Sequence, residues 1–153
     1  MFQGLLNNIK IDVLYAGSTL AATDVDSTIL LDMQGYEGCL ILGAPIKSTA
    51  GGTTGTYQMV PRHSAVNTST TGITDLGSTT YASDTALSTG DRGKVFGIDI
   101  YKPTKRYVGV TINRTGANTV ALGTVYGIRY GSHISPVTQT TSFTLKKPIS
   151  PTT

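Results

Sequence analysis

The chain has 153 residues, room for one domain and one core but not for two ordinary domains. Only 14% of its residues are charged, with 12 basic and 9 acidic side chains giving +3, and the basic ones form no stripe, which argues against the dense basic face of a nucleic-acid binder. Thr and Ser, 26 and 12 in number, make up a quarter of the chain beside 18 Gly and a single glutamate, Glu37, a balance that favours strands and turns over helices.

The first predicted strand is Asn8 to Tyr15, where Ile9, Ile11, Val13 and Tyr15 alternate with Lys10, Asp12 and Leu14 in a period of two that predicts one buried face. Gly17 and Ser18 end it. A second run, Ser27 to Met33, leads into a tight turn at Gln34-Gly35, and Tyr36 to Gly43 reads as a nearly continuous apolar, central strand. KSTAGGTTG, Lys47 to Gly55, is a loop by composition, and Thr56 to Arg62 is a short strand closed by Pro61. His63 to Gly93 is a Ser/Thr-rich excursion that either projects or holds short strands.

Lys94 to Tyr101, Arg106 to Ile112 and Thr119 to Tyr130 then carry strand composition between turns at Lys102-Pro103 and Arg114 to Asn118. In the last, the face holding Ala121, Gly123, Val125, Gly127 and Arg129 is rich in small residues, which permits another backbone to approach closely. No apolar stripe of helical period occurs. The expectation is an all-β chain, a β-sandwich or jelly roll, mostly antiparallel, with little or no helix. Residues 9–133 would form the domain, with extended terminal arms at 1–8 and 134–153.

Groups able to carry chemistry are sparse. Asp24 and Asp26 lack the spaced oxygen ligands of a calcium loop, and Asp84 and Asp91 stand in loop sequence. His63 and His133 follow strand ends without a metal-ligand spacing, and Cys39, the lone cysteine, sits in an apolar run where it reads as a small buried hydrophobe. Gly51-Gly52-Thr-Thr-Gly55 lacks the lysine of a phosphate loop. No cofactor, no metal and no enzymatic activity are expected. The start of the chain lacks the pattern of a signal peptide and no apolar run reaches the roughly 20 residues of a membrane span, so the expected place of synthesis is a cytoplasm, with no membrane partner.

Two segments carry a resemblance. Asp32-Met-Gln-Gly-Tyr-Glu-Gly-Cys39-Leu-Ile-Leu resembles the D-x-x-G-Y-E-G-hydrophobic run that enters a central strand in the head decoration or cement proteins of tailed phages. Lys105-Arg-Tyr-Val-Gly-Val110 is similar to their K-R-Y-V-R-V strand, followed by an Ala/Val/Gly-rich strand ending in Gly127-Ile-Arg-Tyr-Gly-Ser-His133. Met59-Val-Pro-Arg-His63 and the excursion depart from that family's pattern. The matching residues look structural: Gly35 and Gly38 for backbone turns, Tyr36 and Tyr107 for packing, Lys105 and Arg106 at a strand edge.

The resemblance implies a bacteriophage virion protein on the outer capsid surface, made in the host bacterial cytoplasm. Its partners would be the major capsid protein and copies of itself in a homotrimer, with no direct nucleic-acid contact. Terminal arms could add strands to a neighbour's sheet. A tail, neck or head-fibre component and a carbohydrate-binding jelly-roll module are the alternative functions; the second calls for exposed aromatic rings on one face, and the chain has no Trp.

Overall fold

Alternating side chains between Gly- and Pro-marked turns produce twelve strands in a computed structural model of the chain, which describes residues 5–21, 24–48, 56–68, 73–76, 95–115, 120–134 and 137–138. In order they are β1 (Lys10–Tyr15), β2 (Ser18–Ala21), β3 (Val25–Asp26), β4 (Leu31–Asp32), β5 (Gly38–Gly43), β6 (Pro45–Ser48), β7 (Thr56–Ser64), β8 (Thr74–Asp75), β9 (Phe96–Tyr101), β10 (Tyr107–Thr115), β11 (Val120–Leu122) and β12 (Val125–Tyr130). One 3-10 turn, Leu5–Asn7, is the only helical element among the described residues.

All pairings are antiparallel. One sheet runs β1-β12-β5-β9, the second β3-β10-β7-β8 with β4 also on β10, and a third, β2-β11-β6, continues the first. The three strands of that continuation break in one row. Gly17 takes φ +101°, and a Cβ there would stand 2.9 Å from the Leu122 carbonyl oxygen. Gly123 N–H donates to the Ala44 carbonyl at 2.9 Å across the same break. Small residues at this row let the ladder bend without a clash. The run Thr119 to Tyr130, expected as one strand, is thus two.

Counting β1/β2, β3/β4, β5/β6 and β11/β12 as interrupted single strands leaves eight, and the two main sheets then read 1-8-3-6 and 2-7-4-5. That is the order of a jelly roll, two interlocked Greek keys closed face to face. The fold is all-β and antiparallel, as its composition predicts, and β5 is central. Pro61, expected to close β7, lies within it opposite Val110. Val110 directs its carbonyl and N–H to Ser27 on its other side, so Pro61 occupies a position that asks no donor of it toward β10. The short β8 pairs with β7 inside the Ser/Thr-rich excursion; residues 69–72 and 77–93 of the excursion, and 1–4, 135–136 and 139–153 of the expected arms, lie outside the described residues.

The core joins both sheets: Leu14, Cys39, Ile41, Ile98, Ile100 and Val125 from the first, and Leu31, Met59, Val108, Val110 and Ile112 from the second. On β1 the fully buried residues are Asp12 and Leu14, while Ile11, Val13 and Tyr15 are half-buried. The buried face of β1 is thus the one that carries Asp12, opposite Gly127 of β12, and the more apolar Ile11 and Val13 lie on the other; a register shift between Val13 and Tyr15 brings Tyr15 back against the core. At Gly127 the two sheets approach closely, since a Cβ on it would lie 2.7 Å from Leu31 Cδ1. Gly127→Val should therefore lower the urea midpoint by an amount equivalent to about 1–3 kcal/mol of overpacking; an unchanged midpoint would mean that the sheets can separate there at no cost.

Candidate functional site

One end of the sandwich gathers the residues that carry the resemblance. The turn after β4 closes through Tyr36 N–H to the Met33 carbonyl at 3.0 Å, with Gln34 N–H on Asp32 Oδ1 at 3.0 Å. Gly35 takes φ +82° there, the left-handed position that a turn of this kind reserves for glycine. Gly38 opens β5 and is buried under the Tyr130 ring, whose hydroxyl occupies the space a Cβ would need. The Tyr130 hydroxyl donates to Asp99 Oδ1 at 2.6 Å, and burial, followed by this bond, pushes its pKa up to about 12.

The β9–β10 loop is fastened to the same turn at both ends, by Lys102 N–H to the Glu37 carbonyl and Met33 N–H to the Arg106 carbonyl, each 2.8 Å. Arg106 forks onto Asp32 with Nε at 2.8 Å and Nη2 at 2.7 Å, a bidentate geometry that arginine favours. Arg106 thereby holds the Asp32 carboxyl below its ordinary value. The Arg106 guanidinium also lies 5.2 Å from the Tyr107 ring centroid. Tyr107 in turn stands opposite Asp32 in the ladder.

Beneath this surface pair is a buried one. Arg129 Nη2 meets Asp12 Oδ2 at 2.5 Å, with their side chains 8% and 7% exposed. Arg129 Nη1 donates to the Asp32 carbonyl at 2.5 Å, and its guanidinium carbon lies 4.9 Å from the Tyr36 ring centroid. Its Nε has no hydrogen-bond partner, and the Tyr36 ring lies near enough for a cation–π contact with the group. Burial moves the Tyr36 pKa up.

Gly35, Tyr36, Arg106 and Tyr107, separated by some 70 positions of sequence, thus meet around Asp32 and Arg129, with Gly38 beside them under Tyr130, while Lys105 Nζ donates to the Thr74 hydroxyl. Sequence reasoning placed Asp12 and Arg129 on strands without assigning them a role. Their signal was a charge on each of two strand faces that also carry Leu14, Val125 and Gly127. Elsewhere, Asp26 Oδ1 accepts from Thr111 Oγ1 at 2.5 Å. His63 Nδ1 meets Thr104 Oγ1 at 3.2 Å, and partial burial followed by the Lys105 charge lowers its pKa. Cys39 is buried, and desolvation pushes its thiol up to about 12, far from the thiolate a nucleophile requires. Among the described residues no three His, Cys, Asp or Glu side chains come together as a metal site. Asp84 and Asp91 lie outside the described residues.

In comparisons with known proteins, no family model matches the chain, and the search of curated proteins returns no match.

Two outcomes follow from the paired charges. Asp12→Ala strands the Arg129 cation in the core and should cost about 3–5 kcal/mol in urea unfolding, whereas Asp12→Leu with Arg129→Met should recover most of it; equal losses in both would assign the cost to packing alone. Asp32 has a folded pKa below 3.8, so its contribution is present above that value and lost as pH falls through the folded pKa. Asp32→Asn should flatten the acid limb of the stability profile in that window, measured by urea midpoints between about pH 5 and about pH 2.

Proposed function

We propose that this chain is a non-catalytic virion subunit that decorates or cements the outside of a tailed-phage head, binding neighbouring copies of the major capsid protein beside copies of itself. The observation that carries the reading is that the two segments resembling head decoration proteins form one unit. Asp32 and Met33 of the first are joined to Arg106 and Tyr107 of the second by the bidentate ion pair, a backbone bond and a ladder pairing. Two independent chance likenesses would have no reason to converge on one end of the molecule. A jelly roll recurs in viral capsid and lectin domains alike, so the fold supports assembly without choosing it.

The titratable groups at this end support a non-catalytic role. Asp32 is lowered, Tyr36 and Tyr130 are raised, and Cys39 is raised, all moved away from the neutral range where general acids and bases work. His63 is moved down, toward the uncharged imidazole. Asp12, Asp32 and Asp99 each accept from a side chain of the fold itself.

The test is to mix the purified chain with expanded heads of the phage whose genome encodes it, and to image them. Saturable binding in fixed ratio to the capsid subunit, with density on the outer surface, is the expected result. Heads that stay bare at saturating protein would overturn the reading.

A further inference from the structure

The β9–β10 loop places three cations within five residues, Lys102, Lys105 and Arg106. Arg106 is neutralised by Asp32. The other two have different neighbours among the described residues: Lys102 Nζ lies 5.1 Å from the centroid of the neighbouring Tyr101 ring, and Lys105 Nζ donates to the Thr74 hydroxyl at 2.8 Å. Neither meets a carboxylate among the described residues. Both border an open groove between this loop and the Met33–Tyr36 turn, lined also by Tyr36, Glu37 and Pro103.

A second observation is independent of charge. Lys102 has φ +50°, the one non-glycine residue with a positive φ among those described. Glycine would hold this conformation without steric cost, and a lysine does not. The side chain is therefore at a position where the fold alone favours its removal, a signature of local strain kept for function. The loop backbone is pinned at both ends by the bonds from Lys102 N–H and to the Arg106 carbonyl, so the two ammonium groups spring from a framework organised before any partner arrives.

We infer that this groove is a docking point for an acidic loop of a protein partner, whose carboxylates engage Lys102 and Lys105 while an apolar neighbour rests on Tyr36 and Pro103. A protein loop is favoured over a nucleic acid because the groove also offers the Tyr36 ring and Pro103 as an apolar seat, which a phosphate backbone does not use. A nucleic acid would also need a longer basic track than two lysines. The identity of the partner as a capsid subunit rests on the head-binding reading above; the acidic, part-apolar chemistry does not.

The experiment compares the full-length protein with Lys102→Gly, Lys105→Gln and the charge-reversed pair K102E/K105E. Thermal unfolding should leave Lys102→Gly as stable as the parent or more so, which separates docking from folding. On expanded heads at low salt, each single variant should bind more weakly, and the charge-reversed pair by about tenfold or more, with the difference shrinking as salt is raised. Heads that bind the parent and the charge-reversed pair equally would overturn the groove while leaving the head-binding reading intact. In parallel, fluorescence anisotropy with poly-glutamate and with a DNA duplex reads the groove without heads. Poly-glutamate binding that the charge-reversed pair loses supports the inference even if the heads stay bare. Absent poly-glutamate binding, or tighter charge-dependent binding to the duplex, overturns it.

Discussion

A guanidinium in the core organises this molecule. Arg129 reaches from β12 to the Asp12 carboxylate on β1 and to the Asp32 carbonyl at the end of β4, and lies against the Tyr36 ring. Removing a charge from water costs several kcal/mol unless its partners replace the solvent, so these elements are constrained relative to one another. A slip of β1 or β12 by one residue would turn the charged side chain to the opposite face. The pair thus acts on register as well as on stability, at the point where the two sheets and the β4–β5 turn converge.

The close packing around it depends on missing side chains. Gly127 lies beneath Leu31, Gly38 beneath Tyr130, and Gly109 beneath Ser27 and Leu30, where a Cβ would stand 2.6 Å from Ser27 Oγ and 2.5 Å from Leu30 Cδ2. At Gly109 the segment between β3 and β4 leaves the edge of β10 and crosses its face, and Ser27 N–H still reaches the Val110 carbonyl at 2.8 Å. Thr28 completes the closure, with its N–H at 2.8 Å and hydroxyl at 3.0 Å both donating to the Leu14 carbonyl on β1. Along this seam Ser27 N–H is thus satisfied within its own sheet and Thr28 N–H by the opposite one.

This interior contrasts with the rim of the same end. Inside, Arg129 binds the Asp12 carboxylate and the Asp32 carbonyl; outside, among the described residues, Lys102 lies by a ring and Lys105 donates to a hydroxyl. A chain with few charges has placed its paired ones where they set geometry, and among the described residues two cations without a carboxylate partner stand on a loop held at both ends.

Composition and two-residue periodicity determined the all-β class, the central position of β5 and the turn at Gln34-Gly35, because these depend on local sterics and on the alternation of a pleated strand. The small-residue face of β12 was likewise legible, since only close approach explains a Gly127 between Val125 and Arg129. Which face of β1 turns inward was not: Ile11, Val13 and Tyr15 are the more apolar set, yet Asp12 and Leu14 are buried. Burial there is decided by the pairing of β1 with β12, and the cost of an inward carboxylate is offset by a cation 117 residues away. The break that splits β11 from β12, the strand hidden in the Ser/Thr-rich excursion and the convergence of Tyr36 with Arg106 are also products of long-range pairing. Local sequence could determine that this chain would make strands; only the tertiary structure decided which charges would meet, because a buried ion pair depends on distance in space and leaves no period in the sequence.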